Sequence, residues 1–125
     1  MLRKILFLGI GGFIGSNLRY WITLLARMIP GSDFPYGTLI VNCAGSFILG
    51  FLAFTGLEAV RLDSNLRLFL AAGFTGALTT FSTFSVETFM YMEKTNYKMA
   101  LLNVLLNLSL GILTASGGYF LAKNI

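Results

Sequence analysis

Histidine is absent from the 125 residues, and cysteine occurs once, at Cys43. A single cysteine excludes a disulfide within the chain, and the lack of histidine excludes a Cys/His metal site. Charge is scarce as well. Asp, Glu, Lys and Arg make up 11% of the residues, where a soluble domain carries about 25%. Nine bases outnumber five acids, yet the bases stand singly at the ends of apolar runs. They form no stripe of the kind that tracks nucleic acid, and they read as topology anchors. Only two prolines occur, Pro30 and Pro35. No stretch is of low complexity, and no strong internal repeat appears. What fills the chain instead is apolar: 56% hydrophobic residues, with a mean hydropathy of +0.79. Such a surface is suited to lipid.

The length allows a single domain, residues 1–125. Four apolar runs of about 20 or more residues emerge, each able to cross a hydrocarbon core roughly 30 Å thick. They span about 5–26, 36–57, 67–92 and 97–121, which predicts an all-α membrane protein with four transmembrane helices. The loop 27–35 holds both prolines; 58–65 and 93–96 make the other connections. The start, Met1-Leu2-Arg3-Lys4 before apolar residues, imitates a signal peptide. No small-x-small site ends the run, so an uncleaved first span is expected. Pairs such as Gly11/Gly15, Gly12/Ser16 and Gly111/Ala115 have the spacing that lets helices approach closely in lipid.

Four spans put both termini on one side. Arg3, Lys4, Arg61, Arg67 and Lys123 then share the terminal side, and Arg27, Lys94 and Lys98 lie opposite, with Arg19 inside a span. Positive residues orient a membrane protein by their excess in the cytoplasm. A split this even is a weak instruction, and it permits insertion both ways up.

One stretch organises the rest: Gly73-Phe-Thr-Gly-Ala-Leu-Thr-Thr-Phe-Ser-Thr-Phe-Ser85. Most of it is Gly, Ser or Thr, although it lies inside an apolar run. Irregular backbone at membrane depth is tolerated only where protein buries it or it lines a watery cavity. The stretch therefore predicts a third helix broken near Thr79 and Thr80, at the bilayer centre. Phe81 and Phe84, three apart, project from one face. Arg19 sits roughly 10 Å from the non-terminal side, and Asn42 at a similar depth. Asn103 and Asn107, four apart, share one helix face in the same half. The polar groups thus occupy one leaflet, and a second, inverted copy would complete a route across the membrane.

Plainer readings stand beside this one. Arg19 can snorkel to the interface, the asparagines can bond helix to helix, and the phenylalanines can face lipid. Glu87 lies near enough to the interface to be solvated.

The same residues carry a resemblance. Gly73 to Ser85 is similar to the signature of the Fluc (CrcB) fluoride channels. Gly37-Thr-Leu-Ile-Val-Asn42 with Gly45 resembles that family's second-helix motif, and Gly15-Ser-Asn-Leu-Arg19 its first. The resemblance covers all four spans. It implies an antiparallel, dual-topology homodimer in the cell membrane with two pores for fluoride, and no enzyme activity. It further implies that Phe81 and Phe84 line the path, that Asn42 contacts the ion, and that Thr38, Ser82 and Thr83 add polar lining. Arg19 matches a vestibule arginine. The backbone carbonyls of Gly76 and Thr79 match a structural Na+ site on the dimer axis, and no organic cofactor is implied. Asn103 and Asn107 match fourth-helix pore positions that are often Tyr or Ser in the family.

The chemistry agrees with an anion. Amides and hydroxyls can replace the water around fluoride, and aromatic ring edges are positive. No acidic residue falls on the proposed path. Two rivals remain at this point: a small dual-topology multidrug or cation antiporter, which needs a deep carboxylate, and a non-transporting membrane assembly subunit.

Overall fold

The computed structural model describes residues 1–30, 33–54 and 63–125. Among these every regular element is helical. Helix α1 is Leu2–Ala26 and α2 is Tyr36–Phe54. Helix α3, residues 64–78, is built of three pieces: α-helical Ser64–Arg67, π-helical Leu68–Thr75 and α-helical Gly76–Leu78. Helix α4 is Phe81–Glu93 and α5 is Tyr97–Lys123. Helix α1 begins before the apolar run, taking Arg3 and Lys4 into its first turns. Residues 55–57, expected to end the second span, lie outside the described residues, as does Arg61.

Four segments are long and apolar enough to cross a membrane: Leu2–Ala26, Tyr36–Phe54, Ser64–Glu93 and Tyr97–Lys123. Their large apolar side chains face outward, among them Phe13, Trp21, Phe89, Leu105 and Ile112. A water-soluble monomer rarely shows contiguous apolar patches on this scale. The surface is suited to hydrocarbon, and the protein is a multi-pass protein of the cell membrane.

Local chemistry sets the helix ends. Asp63 caps α3 by accepting from the Asn65 amide at 3.2 Å, and Asn96 caps α5 by accepting from Met99 at 3.3 Å. Between α4 and α5 the chain reverses in three residues, Lys94 to Asn96. The amides of Thr95 and Asn96 bond back to the carbonyls of Met92 and Tyr91 at 2.9 and 2.8 Å, with Thr95 at φ 56°. This is the left-handed helix stop usually made by glycine.

Close backbone approach fixes the packing. Helix α1 lies on α3 through Gly11 and Gly15: a methyl group at Gly11 would fall 2.6 Å from the Phe69 carbonyl oxygen, and one at Gly15 would run into the Phe74 carbonyl. Helix α2 packs most closely on α5, where Gly118 meets the Phe47 carbonyl and Gly50 meets that of Ala115. The other two pairs behave differently. Gly12 has open space around it, and Gly111 has only the Ser46 hydroxyl at 3.8 Å. Ala115 therefore makes its close contact through Gly50 on α2, and the small residue that works with it on α5 is Gly118.

Candidate functional site

The third span is interrupted at Thr79 and Thr80. Both are extended, with φ −81° and ψ 157° at Thr79 and φ −151° and ψ 113° at Thr80. Gly76 itself remains helical, so the break comes three residues after the last glycine. The π-helical turns just before it are wide enough for the Thr75 hydroxyl to reach the Leu70 carbonyl, five residues back, at 2.7 Å.

Two side chains stabilise the interruption. Thr80 caps α4: its hydroxyl oxygen accepts from the Thr83 amide at 3.2 Å and donates to the Thr83 hydroxyl at 2.9 Å. Asn42, reaching across from α2, accepts from the Thr80 amide at 2.9 Å and donates to the Thr80 carbonyl at 3.3 Å. Gly45 stands one turn further along α2, where a methyl group would collide with the Thr79 side chain. The Asn42–Gly45 motif therefore acts locally, giving Thr80 an amide partner and leaving room for Thr79.

These diversions leave two carbonyls without their helical partners. In a continuous helix the Thr80 amide would bond Gly76, and the Thr83 amide would bond Thr79. Here the first goes to Asn42 and the second to the Thr80 hydroxyl. Gly76 and Thr79 thus present uncharged oxygens at the negative end of a half-helix, a donor type suited to a hard cation.

Past the break the two rings expected to act together do lie together. Phe81 and Phe84 have centroids 5.7 Å apart with planes inclined at 53°. Phe81 is 77% exposed in the protomer. Ser82 and Thr83 are exposed beside it, and Arg19 is partly exposed on α1.

Asn103 and Asn107 lie inside the bundle, 0% and 9% exposed. The Asn107 amide donates to the Asn103 side-chain oxygen at 2.9 Å and to its carbonyl at 3.0 Å. Asn42 donates to Asn107 at 3.0 Å, and Asn103 donates to the Thr88 hydroxyl at 3.0 Å. All three asparagines therefore join one network with the break.

Glu87 is where the sequence reading needs correction. Its place near a span's end predicts solvation, and predicts a path without acids. Instead its Oε1 accepts from the Thr38 hydroxyl at 2.7 Å. Its Oε2 is buried without a partner. The reason is helical register. Thr38 lies one turn before Asn42 on α2, while Glu87 lies one turn after Phe84 on α4, so the two meet on the same seam. Thr88 is a site residue that the sequence does not single out: it reads there as an ordinary threonine, and only the seam between α2, α4 and α5 distinguishes it. Thr80 is visible in the sequence as the place of the break, but not as its cap or as the partner of Asn42.

Comparison with known proteins adds independent observations. Residues 6–119 match the family model described as CrcB-like protein, Camphor Resistance (CrcB). A protein of Clostridium perfringens named fluoride-specific ion channel FluC is 42% identical over 118 residues, covering 94% of this chain and 92% of its own. Proteins of the same name from Dehalococcoides mccartyi and Methanococcus maripaludis are 45% and 50% identical over 120 and 107 residues. Those matches cover 96% and 85% of this chain, and 92% and 84% of the relatives. With a four-span fold, a broken third span and similarity along nearly its whole length, this chain belongs to the CrcB family.

Proposed function

We propose that the protein is a passive, fluoride-selective channel, not an enzyme, and that it lets fluoride leave the cell and so relieves toxicity. The reading is supported by the names of its relatives. The single observation that carries it is the junction of the broken third span with Asn42 and the Phe81–Phe84 pair. Fluoride is small and strongly hydrated, so it enters a low-dielectric region only where donors replace its water. Along this seam Asn42, Ser82 and Thr83 offer amide and hydroxyl donors, Thr38 adds a hydroxyl that here donates to Glu87, and the two rings offer positive edges in a wall too tight for chloride. Several weak sites in succession allow the ion to leave again. Asn103 and Asn107 belong to the same route from α5, and Arg19 draws the anion towards its mouth.

The exposed Phe81 and the one-sided placement of polar groups favour two copies packed antiparallel, as a homodimer with two pores. The carbonyls of Gly76 and Thr79 would hold Na+ on the dimer axis together with their mates. The ion would supply fixed positive charge where the half-helices meet.

Purified protein in liposomes tests this. The wild type should release fluoride far faster than chloride, and Phe81→Ile should abolish the fluoride flux. A chloride leak of equal size would overturn the proposal. Uptake of organic cations driven by a proton gradient, lost in Glu87→Gln, would point to an antiporter instead.

A further inference from the structure

We propose that Thr88 is a positioning residue for fluoride, acting on Asn42 through a one-way relay of side-chain amides. This inference rests on the channel reading above. The relay has five hydrogen bonds. The Thr80 amide donates to Asn42 Oδ1 at 2.9 Å, and Asn42 Nδ2 donates to Asn107 Oδ1 at 3.0 Å. Asn107 Nδ2 donates to Asn103 Oδ1 at 2.9 Å, and Asn103 Nδ2 to Thr88 Oγ1 at 3.0 Å. The Thr88 hydroxyl closes the circuit by donating to the Phe84 carbonyl at 2.8 Å.

Both ends of this relay are backbone groups, and that fixes its direction. A main-chain N–H can only donate and a carbonyl can only accept. Each asparagine between them could in principle turn its amide over. Turning Asn42 or Asn107 would set oxygen against oxygen and N–H against N–H at two links at once; turning Asn103 would set N–H against N–H at Asn107 and draw the Thr88 hydroxyl off the Phe84 carbonyl. The three amides therefore have one joint orientation, and each bond polarises the next. The relay leaves α4 at its cap, crosses α2 and α5, and returns to α4 two turns later.

Two consequences follow for the ion. One Asn42 N–H is held by Asn107. The other meets the Thr80 carbonyl at 3.3 Å, the longest bond Asn42 makes, and an arriving anion can take that place. The Phe84 backbone is meanwhile held by Thr88, which is 8% exposed. Losing the Thr88 hydroxyl would leave an Asn103 donor unmet in the interior and remove the partner that holds Asn103, and through it Asn107 and Asn42, in place.

The test uses the full-length protein with Thr88→Val, close to isosteric, and Thr88→Ser, which keeps the hydroxyl. Fluoride efflux from liposomes should fall about tenfold in Thr88→Val and stay within about twofold of wild type in Thr88→Ser. Thermal midpoints in detergent give a second readout, independent of transport. Thr88 and Asn42 share no hydrogen bond, yet the relay predicts that Thr88→Val combined with Asn42→Ala lowers the midpoint by less than the two single shifts added. Should Thr88→Val not assemble, Thr88→Cys replaces it, with an intermediate loss expected from its weak thiol.

Additive midpoints would overturn the relay whatever the flux. Unchanged flux in Thr88→Val, or equal losses in the Val and Ser variants, would overturn the positioning role. If the wild type itself passed no fluoride, the channel reading would fail, and the midpoints alone would still decide whether the relay exists.

Discussion

At the scale of single residues, the seam is ruled by the cost of an unmet polar group. Thr38 is 2% exposed and is the partner of one Glu87 oxygen, while the other oxygen is already buried without one. Removing the hydroxyl by Thr38→Val would leave both oxygens stranded, at about 1–3 kcal/mol of stability. Thr38→Ser should restore it. Thermal midpoints in detergent check this, and a Val variant as stable as wild type would contradict it. The sequence shows which polar residues lie at membrane depth, because depth follows from counting along an apolar run. It does not show which of them meet. Asn103 and Asn107 are visible as a pair on one face, but their burial depends on how α5 rolls against α2. Thr88 is invisible for the same reason, since nothing in its own neighbourhood marks it. Glu87 is misjudged because distance from a span's end says nothing about what packs beside it.

At the scale of elements, the helices are legible because runs of this length and hydropathy have few alternatives in lipid. The break is legible too, from the hydroxyl-rich stretch between Gly73 and Ser85. Its mechanism is less so: the glycines stay helical, and Asn42 with the Thr80 cap makes the interruption. Glycine on α3 serves instead to let α1 approach. The turn between α4 and α5 shows the opposite mismatch. Thr95 holds φ 56°, a left-handed conformation that burdens a β-branched residue by roughly 1–2 kcal/mol. Thr95→Gly should therefore raise the thermal midpoint in detergent while leaving fluoride flux unchanged, since the turn lies outside the seam. A lower midpoint would show that the Thr95 side chain contributes more than its backbone costs.

At the scale of the whole molecule, the proposed function gives one protomer half of a route. On that proposal its amides, hydroxyls and rings share one leaflet, Phe81, exposed in the protomer, meets a partner, and Gly76 and Thr79 offer two carbonyls where a cation would take more. A second copy turned over would supply the rest by symmetry, and the near balance of positive residues on the two sides permits that insertion. The most direct test is labelling in intact cells with a membrane-impermeant thiol reagent, in a Cys43→Ala background carrying one new cysteine. With Lys123→Cys, and separately with Lys98→Cys, about half of the copies should react from outside at each position. Full reaction at one position and none at the other would mean that every copy faces the same way, and the paired half-routes could not exist.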